Sequence, residues 1–286
     1  MSAADILMSA TRSFKDDTQF QRMVRRESDI DLVVAALEIS RDEQPDLDFA
    51  PTLKTLRSSV AALTRPVALA GDDFNELKLL ISHLTTDLNL CGDESCFEQP
   101  DACYLNRVLE TGRGLPITLS VVYMAIASEL GIPLEGISAP SHFITRLNSD
   151  AGIIYVDPFR GGHIMDEMEC VEWLHEVTEL PTAEIYPILK PVSERVIIIR
   201  MLNNLKTLFG SKEQWKSALK VQRRLACLKP GSWRERRDLA ILTLRAGRPG
   251  EAADLLEHCV SVCTIQERPV LQHHLREAQK QIPQYN

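Results

Sequence analysis

The apolar positions divide the chain into helical ends and a short β-rich centre. Leu32, Ala35, Ala36 and Ile39 recur at helical spacing, and the run stops at "DEQPDLDFAP", where Pro45 and Pro51 interrupt it. "TLKTLRSSVAALTRP" predicts a second amphipathic helix ended by Pro66. "DDFNELKLLISHLTTDLNL" predicts a third, capped by Asp72 or Asp73 and closed near Gly92. Such stripes mean packing, so these helices are expected to cover a core formed later in the chain.

After Leu90 the pattern turns polar and loop-like through "CGDESCFEQPDAC". A short helix is predicted from Tyr104 to Glu110, followed by the turn residues Gly112 and Gly114. Pro116 then opens a helix that runs to Leu130, at the first position, where proline is favoured. That helix carries no charge before Glu129 and is apolar on nearly every face, which predicts burial, with Gly131 as its left-handed stop. Three strands follow: Leu134 to Ala139, His142 to Leu147 and Gly152 to Asp157. "NSDA" is turn chemistry. Pairing Leu147 with Gly152 across it sets His142 directly opposite Asp157, on one face and within hydrogen-bonding reach.

From Val192 the chain is helical and repeats itself. Leu205, Ala218 and Val221 recur as Leu239, Ala252 and Leu255, each 34 residues later, and Pro230 closes the first unit. This period, with a small residue at the helix crossing, is the tetratricopeptide signature, and a last helix is expected at about Pro269 to Ile282. The fold class is therefore α+β: residues 1–190 form one domain, helical over 1–90 and sheet-bearing over 91–190, and residues 192–286 form the repeats.

Composition narrows the function. The net charge of −8 argues against nucleic acid as a partner. The most apolar stretch, Leu115 to Leu130, is interrupted by Thr118, Ser120, Ser128 and Glu129 and falls short of the ~20 residues of a membrane span, so no membrane association is expected. The opening "MSAADILMSATRSFKDD" lacks a basic n-region and reads as no signal peptide, which makes the seven cysteines reduced thiols of a cytoplasmic protein. No cofactor is expected. The C-x4-C-x6-C spacing of Cys91, Cys96 and Cys103 is not that of a zinc site. A metal held by His142, Asp157 and His163 is a chemical alternative, but "FRGGH" reads more simply as a turn, and no metal is expected. "WRERRD" reads as a solvated helix face with an Arg234–Asp238 ion pair.

A histidine and an aspartate on adjacent strands beside a buried helix make two thirds of a catalytic triad. The helix N-terminus is a favoured place for the thiol, yet the residues there are Leu115, Pro116 and Ile117. Thr118 and Ser120 are read as capping or packing hydroxyls. Cys103, thirteen residues before Pro116, is the alternative nucleophile, against its simpler reading as a core thiol.

"YLNRVLETGRGLPITLSVVYMAIASELGIPLEGISAPSHFITRL" followed by "YVDPFRGG" resembles the SirB-type family with a transglutaminase-like core, as does "ALEISRDEQPDLD" upstream. The resemblance covers most of the chain. It departs from the family at "CGDESCFEQPDAC", which replaces a Gly-Phe-x-Gly-Asn type stretch, and at Ser141, where glycine is more usual. Active transglutaminase-like proteins show Gly-x-Cys about fifteen residues before Gly-Ile-Pro. Counting back from Gly131-Ile132-Pro133 puts "GLP", and Pro116, at that position. The resemblance thus implies a papain-like fold that keeps His142 and Asp157 and has lost the nucleophile. It implies a pseudoenzyme acting through a protein or peptide partner on its repeats. The alternative is a cysteine-dependent hydrolase or acyl transferase that uses a displaced thiol.

Overall fold

The computed structural model describes residues 13–282, so the expectation of no export signal falls largely outside the described residues. Contacts divide these residues into two units, Ile30–Met201 and the combination of residues 13–29 with residues 202–282. The division expected near residue 191 instead falls inside a helix, and the opening segment sorts with the C-terminal helices. The reason is a buried charge. Arg224 is 1% exposed, its Nη2 donates to Asp17 at 2.6 Å, and its guanidinium lies over the Phe14 and Phe20 rings. A buried guanidinium needs a carboxylate, and this one lies far away in sequence, at the start of helix α1 (Thr18–Val24).

The core unit begins with α2 (Leu32–Ser40), capped by the Asp31 side chain, and α3 (Ala50–Ala68). Pro66 does not end α3; it lies in the last turn and the helix continues to Ala68. A proline there forfeits only one backbone bond before the helix ends anyway. Asp72 caps α4 (Asp73–Ser82) by accepting from Asn75 N at 2.8 Å. The helix widens into a π-turn over His83–Asp87 and stops at Leu88 and Asn89, short of Gly92. The "CGDESCFEQPDAC" loop holds two 3-10 turns, Glu94–Glu98 and Pro100–Cys103.

Helix α5 (Leu105–Thr111) and helix α6 (Pro116–Glu129) follow as expected, with Pro116 at the start of α6 and Gly131 at φ +80° beyond its end. Only Ala125, Ser128 and Glu129 of α6 reach solvent. Each large apolar side chain so buried contributes about 1.5–3 kcal/mol, which makes α6 the axis of this unit.

Around it a sheet runs in the order β1 (Leu134–Ile137), β2 (Ile144–Ser149), β3 (Gly152–Asp157) and β4 (His163–Met165), all antiparallel. "FRGG" turns as expected, through Pro158–Arg160 and the left-handed Gly161 and Gly162, but His163 opens a fourth strand that the sequence pattern did not predict. The β2–β3 register pairs Ser149 with Gly152, so Ile144, not His142, is the extrapolated partner of Asp157. The tighter turn over Asp150 and Ala151 shifts the pairing by two residues. An even shift preserves the face on which each side chain points, and an odd one would have reversed it.

Helix α7 (Glu167–Thr178) opens with a capping box between Asp166 and Glu169. Its Cys170, Val171 and Leu174 pack on Ile137, Ile144, Tyr155 and Met165 of the sheet. A one-turn helix at Thr182–Ile185 leads to α8 (Glu194–Ser211).

The second unit continues through α9 (Trp215–Leu228), α10 (Trp233–Arg245), α11 (Pro249–Val262) and α12 (Arg268–Gln281). All six repeat positions, Leu205, Ala218, Val221, Leu239, Ala252 and Leu255, are buried in it. The period read from the sequence is therefore a packing period. Arg234 reaches Asp238 at 4.0 Å, as its spacing suggests.

Candidate functional site

Asp157 ends β3 and is wholly buried. Its Oδ2 faces His142 Nε2 at 3.0 Å, while its Oδ1 accepts from the backbone N–H of Phe159 at 3.0 Å and of Arg160 at 3.4 Å. One carboxylate thus caps the 3-10 turn Pro158–Arg160 and holds the imidazole. A carboxylate only accepts, so Nε2 carries the proton of this hydrogen bond. Among the described residues no hydrogen-bond partner reaches Nδ1.

The loop that presents His142 is held from outside the motif. Ser141 adopts φ +56°, a left-handed conformation that favours glycine. Arg200 of α8 secures the loop: Nη1 donates to Ser138 Oγ at 2.7 Å and to Ala139 O at 2.6 Å, and Nη2 donates to His142 O at 2.7 Å. Burial pushes the Arg200 pKa down, which is the electrostatic cost of placing this cation there. The sequence reading missed Arg200, because it lies 58 residues from His142 in a stretch assigned to the repeats.

Aromatic side chains enclose the ring. Trp173 and Phe159 meet His142 edge-on, with ring centroids at 4.8 Å and 5.8 Å, and Arg160 lies over Trp173. Gly92 N donates to Phe159 O at 3.0 Å, and a Cβ at position 92 would overlap the Phe159 ring. Glycine at 92 is a close-approach requirement in an otherwise irregular loop.

Pro116 heads α6 and is buried. Ser120 Oγ donates to Pro116 O at 2.8 Å, whereas Thr118, buried in the same helix, has no hydrogen-bond partner for its Oγ1 among the described residues. Cys103 does lie beside the helix start, since Leu115 N donates to Ala102 O at 3.0 Å. Its thiol is buried, however, and burial, helped by Cys96, pushes its pKa up to about 12. Cys103 makes no hydrogen bond with His142 among the described residues. Cys170 is the thiol whose charge interacts with Asp157, but burial first and Asp157 second push it up to about 12 as well. His163 lies across from Asp157 on β4 and is exposed. Among the described residues, no group of three or more His, Cys, Asp or Glu is arranged to hold a metal ion. None of their helices is long and apolar enough to cross a membrane.

A buried helix and an antiparallel sheet with a His–Asp pair at its end, together with a separate unit of helical hairpins, define a transglutaminase-like protein with a tetratricopeptide tail. The chain belongs to the transglutaminase-like superfamily, whose family model matches residues 50–203, and a tetratricopeptide repeat model matches residues 205–279. An uncharacterised UPF0162 protein of Xylella fastidiosa is 34% identical over 79% of this chain and 82% of its own length. The mouse F-box only protein 21 is 27% identical over 64% of this chain, which corresponds to 28% of that larger protein. Among solved structures, menin aligns with 96% of this chain and 84% of its own at 12% identity, with a TM-score of 0.38, too loose a likeness to carry an argument.

Proposed function

We propose that this chain is a non-catalytic transglutaminase-like protein, a pseudoenzyme that works in the cytoplasm as an interaction or regulatory module. The observation that carries this reading is Pro116 at the head of the buried helix α6, with His142 and Asp157 still paired. Proline brings no thiol to attack a carbonyl and no N–H to stabilise an oxyanion. The dyad then serves as a brace for the loop and turn that it links, and the repeats supply the surface for a protein or peptide partner.

The rival reading is a cysteine-dependent hydrolase or acyl transferase with Cys103 displaced into the nucleophile's role, His142 as base and Asp157 as orienter. It needs a thiolate, and a thiol pushed up to about 12 by burial supplies almost none at neutral pH. Peptide mapping after brief iodoacetamide treatment separates the two. The non-catalytic reading expects no hyper-reactive thiol. It is overturned by one cysteine that labels far faster than the rest and loses that advantage in His142→Ala.

A further inference from the structure

The core unit carries a second concave surface that shares no residue with the His142–Asp157 site. A cleft of about 760 Å³ opens between the start of α2, one side of α3, the exposed end of α6, strand β1 and the segment leading into α8. Its volume lies within the ~300–1,000 Å³ typical of ligand sites. Leu53 and Val60 of α3 and Ala125 of α6 form apolar walls that are only half-buried, as do Ile30 and Val192. The cleft exists because α6, apolar on nearly every face, turns a small residue and two polar ones outward at its end. Ala125 leaves a recess there that a larger side chain would fill.

The rim is predominantly acidic. Asp31, Glu129, Glu135 and Glu194 line the cleft, against Arg57 alone among the lining residues. Arg146 offsets Glu135 at 3.0 Å, and the Asp31 side chain accepts from Val34 N. Glu129 and Glu194 stay exposed to solvent. Strand β1 lies at the edge of the sheet; Val192 N donates to Gly136 O and covers one end, while Leu134 and Glu135 face the cleft from the other. Apolar walls under an acidic rim reject nucleic acid and anionic membrane surfaces and attract cations that carry apolar side chains.

We infer that this cleft docks a short linear segment of a partner protein, with two or three apolar anchors flanked by lysine or arginine. The apolar anchors supply affinity in the desolvated floor. The flanking cations meet Glu129 and Glu194 at the rim, where charge chiefly sets approach and selectivity. The inference stands whether or not the dyad reacts, and it places a partner site on the core unit in addition to the repeats.

Fluorescence anisotropy with the full chain tests it, using three labelled peptides of equal length: alternating Leu and Lys clusters, the same with Glu for Lys, and Lys with Gln and no Leu. The Leu/Lys peptide is expected to bind about tenfold or more tightly than either of the others, a difference of about 1.4 kcal/mol or more. The double reversal Glu129→Lys with Glu194→Lys, both exposed, is expected to remove that preference. Asp150→Lys with Glu184→Lys makes the same change in net charge away from the cleft and is expected to leave it intact. The inference fails if both double variants weaken binding equally, since the attraction would then be to net charge alone. It also fails if the leucine-free peptide binds as well. A concentration-dependent dimer in sedimentation that Ala125→Trp abolishes would likewise overturn it, by making a second copy of the chain the occupant.

Discussion

Asp157 holds His142 with one carboxylate oxygen and the turn that follows β3 with the other. A single buried anion therefore couples the loop before β2 to the turn after β3. Removing either partner has different consequences. His142→Ala takes away the charge-assisted donor and is expected to cost about 1–3 kcal/mol. Asp157→Ala also leaves two backbone N–H groups without an acceptor, so it is expected to cost more. Thermal melting checks both, at about 2–4 °C per kcal/mol for a domain of this size. An unchanged melting temperature in His142→Ala, accompanied by loss of a partner, would move the pair from brace to binding group.

Arg200 positions the loop that carries His142. Arg200→Met keeps the bulk of the side chain and removes three donated bonds, so a loss of about 2–3 kcal/mol is expected. Amide hydrogen exchange should localise the effect to residues 138–143, with the repeats unchanged. Uniform loss of protection across the chain would contradict a local clamp.

Ser141 offers a gain rather than a loss. At φ +56° it holds a conformation that costs an L-residue about 1 kcal/mol or more, and glycine removes that strain. Ser141→Gly is expected to raise stability by about 0.5–1 kcal/mol after the entropy of a freer unfolded chain is subtracted, and Ser141→Val to lower it. The urea midpoint reads both.

The buried thiols predict sensitivity to alkali. Burial raises Cys103 and Cys170 from an ordinary value near 9 to about 12, and Cys259 to about 11. Between those limits the unfolded chain releases thiol protons that the folded chain retains. The unfolded state then binds fewer protons, so stability, complete below pH 9, falls as pH rises towards 11 and 12. Urea midpoints at increasing alkaline pH should show this decline, and Cys103→Ala should flatten it. Alkylation should follow exposure in the native state, with Cys91 and Cys263 labelling before the buried thiols.

How much of this was legible beforehand follows from the range of each interaction. The all-round apolar run from Pro116, proline at a helix start, glycine beyond its end and the 34-residue recurrence of Leu205, Ala218 and Val221 are local patterns. Each constrains backbone or burial within a few turns, and each appears in the structure where the sequence puts it. The His142–Asp157 contact was legible for a subtler reason, since alternation fixes the face of a strand even when the register is two residues out.

The remainder depended on partners that carry no periodic signal. The two-residue turn over Asp150 and Ala151 set the register, with Ser149 opposite Gly152 as its closing pair. Arg224 drew residues 13–29 to the C-terminal helices, because a buried guanidinium required Asp17. Arg200 came from far along the chain to fix the His142 loop. By itself, the sequence determined which segments fold, which helix is buried and that a proline stands at its head. Only the tertiary structure decided which charges pair and which thiols are sealed off, because those outcomes depend on desolvation, which exists only once distant segments have packed together.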